Sequence, residues 1–156
     1  SPRGMHLESG MNRFFERYPD GSFNEASIDQ GVAELSEFIE AAIVEYELDR
    51  SNIFGTGFSN GANTAAALMI KHPALLSGAA LFGSTKPYRE VEDISLKGKR
   101  MWLANGDQDP YAPVQVSEAW VQELHSFGAD IKWLRHPGGH QISQSHVTEI
   151  ANALYL

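Results

Sequence analysis

Two glycines bracket a serine in Gly57-Phe58-Ser59-Asn60-Gly61, and the flanks of this pentapeptide restrict the fold more than any other stretch of the chain. Before it comes a short apolar run, residues 53–57. After it comes an alanine-rich segment, residues 60–70, that stops ahead of His72-Pro73, where proline cannot continue a helix. The sequence therefore predicts strand, tight turn and helix. The alternation continues, with strand-like runs at 78–82, 100–104 and 131–134 and helical periodicity at 114–127 and 143–154. Upstream, Val32, Leu35, Phe38, Ile39, Ala42, Ile43 and Tyr46 recur at helical spacing behind Ser27, which has the chemistry of an N-cap. Strands alternating with helices imply an α/β fold with a mostly parallel sheet covered on both faces. With no internal repeat, low-complexity tract or charge block, residues 1–156 read as a single domain.

Composition serves mainly to exclude. Of 156 residues, 42% are apolar and 21% charged, enough for one sizeable core. Twenty acidic against twelve basic side chains give a formal charge of -8, and the basic ones are scattered, so nucleic acid is not an expected partner. No apolar run approaches the roughly 20 residues that span a bilayer, and Ser1-Pro2-Arg3-Gly4 does not open a signal peptide. The expectation is a soluble, cytoplasmic protein. Cysteine is absent, which removes disulfides, thiolate metal sites and a cysteine nucleophile.

Ligands of open parallel sheets bind beyond the carboxyl ends of the strands. The loops there hold Ser59, the Asp107/Asp109 pair and His140. G-x-S-x-G between a strand and a helix is the setting of a nucleophilic serine: glycines let strand and helix approach, the turn lifts the hydroxyl, and the backbone N–H of Asn60 faces a developing oxyanion. A dinucleotide loop starting at Gly55-Thr56-Gly57 would need a third glycine where Asn60 stands, and an acidic residue near position 80, which is lacking.

A serine needs a histidine to take its proton and a carboxylate to orient that histidine. Of the six histidines, His6, His72 and His125 have surface or capping readings, His136 is restrained by the proline after it, and His146 falls inside the final helix. His140 follows Pro137-Gly138-Gly139, a turn that lets its ring swing toward the serine. His136→Ala and His146→Ala are accordingly expected to retain most activity. His136, His140 and His146 lack metal-ligand spacing such as H-E-x-x-H, so neither metal nor organic cofactor is expected. The acid belongs between serine and histidine, in Asn105-Gly106-Asp107-Gln108-Asp109-Pro110, where Asp107 and Asp109 remain equal candidates. The aromatic residues Phe14, Phe15, Phe58, Tyr88 and Tyr111 divide between core and pocket wall.

These residues resemble the phospholipase/carboxylesterase branch of the α/β-hydrolase superfamily, relatives of acyl-protein thioesterases and dienelactone hydrolases. The matching pieces are residues 57–62, the run Asn105-Gly106-Asp107-Gln108-Asp109-Pro110-Tyr111-Ala112-Pro113, and Gly139-His140, with Pro2-Arg3-Gly4 similar to the family's loop before its first long helix. The resemblance implies an α/β-hydrolase fold and puts the catalytic acid on Asp109, because the family pattern is H-G-x-x-D-P-x-V-P. Asn105 replaces its histidine and Ala112 its valine, while Asn60 stands where thioesterases commonly carry glutamine. Dienelactone hydrolases use a cysteine that this chain lacks. Family members also carry strands and an oxyanion loop upstream, so the chain is expected to be the C-terminal portion of the domain, lacking the first strands, with an N-terminal segment or companion chain to complete it.

The expected activity is hydrolysis of a small-molecule carboxylic ester through an acyl-enzyme, with Ser59 as nucleophile, His140 as base, Asp109 as orienting acid and the Asn60 N–H as oxyanion donor. Acyl-protein thioesterase or lysophospholipase-like activity, and a non-catalytic binding module on the same scaffold, are the alternatives. A homo-oligomer is compatible with all three.

Overall fold

The computed structural model describes residues 2–92 and 94–154; Ser1, Asp93, Tyr155 and Leu156 lie outside the described residues. Its organising element is the alanine-rich helix α2 (Asn60–Lys71), in which every residue from 62 to 70 is buried. A helix apolar all round must be enclosed on every side, and small alanine side chains allow it. On one side α2 packs against β3 (Phe54–Phe58) and β4 (Gly78–Phe82), and on the other against α1 (Glu25–Glu45).

The remaining elements are β5 (Arg100–Gly106), α3 (Val114–Ser126), β6 (Asp130–His136) and α4 (Gln144–Leu154), and the sheet runs β3-β4-β5-β6 with all neighbours parallel. Alternation along β5 divides the core. Met101 and Leu103 join the large cluster that holds α2 together with Trp120 and Leu124 of α3, whereas Trp102 and Ala104 face Ile150 of α4. Helices thus cover both faces, as the element order requires. Trp120 is 1% exposed, and its loss to alanine would cost about 3–5 kcal/mol. No helix among the described residues is long and apolar enough to cross a membrane.

Several details differ from what the sequence predicts. The N-cap of α1 is Asn24, whose side chain accepts from the Ser27 N–H; Ser27 lies inside the first turn, buried, where its hydroxyl accepts from the Glu16 N–H. Asparagine and serine cap comparably, so periodicity could not choose between them. A hairpin of β1 (His6–Glu8) and β2 (Met11–Arg13) also precedes α1. Its strands have only three residues each, too few for a period-2 signal, and its turn residues Ser9 and Gly10 both have positive φ, 50° and 79°. Elsewhere β5 and β6 run two residues past their expected ends, to Gly106 and His136.

Candidate active site

The parallel register puts Phe58, Phe82, Ala104 and Leu134 on one level, and β5 and β6 continue two residues further, to Gly106 and His136. Ser59 and Gly83 therefore leave the sheet at one level and the loops that carry Asp109 and His140 two residues beyond it, on the same side, with neighbouring strands about 4.8 Å apart.

Ser59 directly follows β3 and has φ 54° and ψ -116°, a left-handed conformation that costs a non-glycine residue energy and persists because its surroundings enforce it. Its N–H donates to the carbonyl of Phe82 at 2.8 Å. Gly57 is what makes the turn fit: a Cβ there would stand 2.4 Å from the carbonyl carbon of Gly61. The second glycine of the motif is less constrained, since a Cβ on Gly61 would meet only Phe14 Cε2, at 3.7 Å. The N–H of Asn63 donates to the carbonyl of Ser59, the N-cap of α2, so the N–H groups of Asn60, Gly61 and Ala62 have no intrahelical partner. The side chain of Asn60 is committed elsewhere, accepting from Phe14 N–H at 2.7 Å and donating to Phe15 O at 3.2 Å. It secures the segment before α1 to the serine turn and leaves the backbone N–H of Asn60 unaffected.

Asp109 and His140 meet across adjacent loops, with Oδ2 accepting from Nδ1 at 2.7 Å. The carboxylate side chain is 1% exposed, and its other oxygen accepts from the N–H groups of Tyr111 and Ala112. A carboxylate can only accept, so His140 donates from Nδ1, and its Nε2 makes no hydrogen bond among the described residues. Asp107 points elsewhere, in an exposed ion pair with Arg135 at 2.7 Å. The His140 ring reaches back across the sheet to Gly83, just beyond β4, where a Cβ would stand 2.8 Å from its Cε1 and 3.1 Å from Phe58. Gly83 has φ 60°, so glycine answers both the backbone conformation and the space. Among the described residues Ser59 Oγ makes no hydrogen bond to His140; the two share the Phe82-Gly83 corner. Such contacts are often long before substrate binds.

Phe58 and Tyr111 flank the His140 ring with centroids at 4.7 and 4.9 Å, and both are exposed. Phe15 and Tyr88 belong to the core, and Phe14 packs against it. Burial and the Asp29 carboxylate, which accepts the Tyr88 hydroxyl, push that phenol well above its ordinary range. A hollow of about 460 Å³ opens beside Tyr111, lined by Phe23, Lys86, Tyr88, Arg89 and Val116 among others. A groove of about 550 Å³ flanks Phe58 and Asn60, lined by Phe14, Leu35, Phe38 and Phe54.

Sequence reasoning missed the support beneath the acid loop. Asn105 is buried, accepting from the Ser84 N–H and donating to Ser84 O and to Ser117 Oγ. Asn63 accepts from the Ser84 hydroxyl and from the Thr85 N–H. The helix and strand pattern held no signal for this network, because polar residues at element ends read as turn formers. No group of three potential metal ligands exists among the described residues.

The family described as phospholipase/carboxylesterase matches residues 6–156. The chain is 35% identical over 153 residues to the putative hydrolase MhqD of Bacillus subtilis (strain 168), covering 98% of this chain and 76% of that protein. Among solved structures, a Bacillus cereus carboxylesterase superposes with a TM-score of 0.93 at 35% identity, over 98% of this chain and 72% of that one. A carboxylesterase from Mesorhizobium loti gives 0.90 at 27% identity, over 98% and 73%. The parallel sheet, the serine turn at its edge and the extent of these matches make the chain a member of the phospholipase/carboxylesterase family of α/β-hydrolases.

Proposed function

We propose that the protein hydrolyses small-molecule carboxylic esters through a covalent acyl-enzyme on Ser59. The observation that carries this reading is the buried Asp109 carboxylate holding His140 at 2.7 Å with Nε2 free, beside a serine whose backbone is held at φ 54°. Ser59 Oγ attacks the ester carbon while its proton passes to His140 Nε2. The carbonyl oxygen becomes an oxyanion facing the Asn60 N–H at the start of α2. Collapse expels the alcohol, which takes the proton back from His140. Water, deprotonated in turn by His140, then releases the carboxylic acid and restores the Ser59 hydroxyl. Asp109 stays ionised throughout and stabilises the imidazolium. Family membership and the likeness to carboxylesterases support the ester as substrate class.

The test is covalent labelling by a fluorophosphonate together with turnover of a p-nitrophenyl ester. Labelling should map to Ser59 and disappear in Ser59→Ala, and His140→Ala should lower turnover at least about 10³-fold. An unlabelled protein without ester turnover would favour a binding module on the same scaffold, and a marked preference for long-chain thioesters would move the substrate class toward acylated proteins.

A further inference from the structure

Four residues before His140 stands a second histidine whose ring is spent on the turn between them. His136 is buried, its Nδ1 accepts from the Gly138 N–H at 3.1 Å, and its Nε2 lies 3.2 Å from the carbonyl oxygen of Gln141. A peptide N–H can only donate and a carbonyl can only accept, so these partners require a neutral ring with its proton on Nε2. His140 is held in the opposite tautomer by Asp109. The carbonyl of His136 accepts from the Asp107 N–H at 2.8 Å, and that of Gly138 accepts from the Gln108 N–H at 3.0 Å. One residue thus joins the two arms of the 137–141 turn to each other and helps to fasten the turn to the loop that carries Asp109.

The turn needs such a constraint. Pro137 has no N–H to offer, and Gly138 and Gly139 are the residues with most conformational freedom, so the chain in front of His140 has little rigidity of its own. Gly138 lies close enough to the ring that a Cβ would stand 2.9 Å from His136 Nδ1. Behind the ring is His146 of α4, at 5.5 Å between centroids. We infer that His136 is a positioning residue for the hydrolysis proposed above: its neutral imidazole fixes the 137–141 turn and so holds His140 against Asp109, without touching substrate. This role rests on His140 acting as the base. It also revises the expectation that replacing His136 leaves activity largely intact.

The experiment compares His136→Phe, which keeps ring volume and loses both bonds, with His136→Asn and His136→Gln, whose amides can reach the acceptor and donor positions of Nδ1 and Nε2 respectively. Each is assayed in the full chain with a p-nitrophenyl ester, beside wild type, Ser59→Ala and His140→Ala, well below every melting temperature. His136→Phe should lower kcat about 10- to 100-fold with KM within about threefold, because a displacement near 1 Å is enough to cost that much. The two amide variants should fall between His136→Phe and wild type. A kcat for His136→Phe within twofold of wild type, a loss confined to KM, or amide variants no better than phenylalanine would overturn the role. Nitrogen-15 spectra of the wild-type imidazoles decide the matter even if His136→Phe does not fold: His136 should be neutral and protonated on Nε2, and a proton on Nδ1 at the pH of full turnover overturns the proposal. Turnover that survives Ser59→Ala or His140→Ala would defeat the underlying reading as well, and is distinguished by those two variants alone.

Discussion

The turn that carries Ser59 is fixed by backbone packed on backbone: Gly57 lies so close to Gly61 that a single Cβ would collide, and Ser59 has nowhere to relax from φ 54°. The loops that carry Asp109 and His140 are fixed by hydrogen bonds instead, with Asp107 and Gln108 donating to the carbonyls of His136 and Gly138, and Asp109 tied to the N–H groups of Tyr111 and Ala112. Steric fixation fails all at once and takes local folding with it, because a close-packed contact has no partial form. Hydrogen-bonded fixation fails by degrees, since each bond contributes only about 0.5–1.5 kcal/mol net and neighbours remain. Ser59 is therefore placed by shape and His140 by a polar scaffold, and the two can be broken separately.

The largest expected effect sharpens the comparison on the steric side without disturbing the shape. Ser59→Ala keeps the backbone turn, the contacts of Gly57 and the Ser59-position N–H bond to Phe82, and removes only the hydroxyl. Turnover of a p-nitrophenyl ester should fall at least about 10³-fold with the melting temperature within about 2 °C of wild type. A large loss of stability would mean that the hydroxyl itself holds the turn.

Next comes the polar side. Asp109→Asn keeps the shape of the side chain but can donate to Nδ1, which favours the wrong imidazole tautomer; turnover should fall by about 10²- to 10⁴-fold. Asp107→Asn should stay within about threefold of wild type, since that carboxylate makes an exposed ion pair with Arg135 and exposed pairs are worth about 0–1 kcal/mol. Steady-state kinetics on the two variants settle it, and the reverse order would transfer the orienting role to Asp107.

The steric contact itself is tested by two glycine variants a few residues apart. Gly57→Ala drives a Cβ to 2.4 Å from the Gly61 carbonyl carbon and should destabilise the fold by about 2–3 kcal/mol or more. Gly61→Ala meets only Phe14 Cε2 at 3.7 Å inside a helix, where alanine is favoured over glycine by up to about 1 kcal/mol, so it should be neutral or mildly stabilising. Chemical denaturation of both measures the asymmetry, and equal losses would show that the motif's two glycines share one role.

The same division explains how much could be read in advance. Backbone crowding leaves a mark that survives in one dimension, because only glycine answers it at Gly57, and so strand, turn and serine were legible together with the parallel sheet and the helices over both faces. Hydrogen-bonded placement leaves a fainter mark. Asp107 and Asp109 look alike until Tyr111 and Ala112 are known to donate to one of them, and the tie was broken only by resemblance. Asn105 read only as a replacement for the family's histidine, yet it is buried and ties Ser84 to Ser117. His136 read as restrained by Pro137, and nothing in the sequence showed that its ring is also held by Gly138 and Gln141. The β1–β2 hairpin escaped notice because three-residue strands carry no period.

That hairpin supplies a third arrangement, in which exposed charges do the holding, and the smallest expected effect. Glu8 accepts from Arg17 Nη2 at 3.0 Å and from Arg13 Nε at 3.1 Å, with about a third of its side chain exposed, at 35%. The Arg17 hydrogen bond is the main cause that holds the Glu8 carboxyl below the usual range, with burial opposing it and the charges of Arg17 and Arg13 adding to it. A carboxyl whose value is lower folded than unfolded is protonated first in the unfolded chain. Its contribution is therefore complete above the ordinary glutamate value of about 4.3 and is lost as pH falls through the lowered folded value. Because the pair is wet, that contribution is at most about 1 kcal/mol. Glu8→Gln should lower the melting temperature slightly at pH 7, by less in high salt, and the gap to wild type should close as pH drops below about 4. Melting curves of both proteins from pH 7 to pH 3 check the sign: a gap that widens toward acid would mean that the Glu8 carboxyl is harder, not easier, to ionise in the folded hairpin.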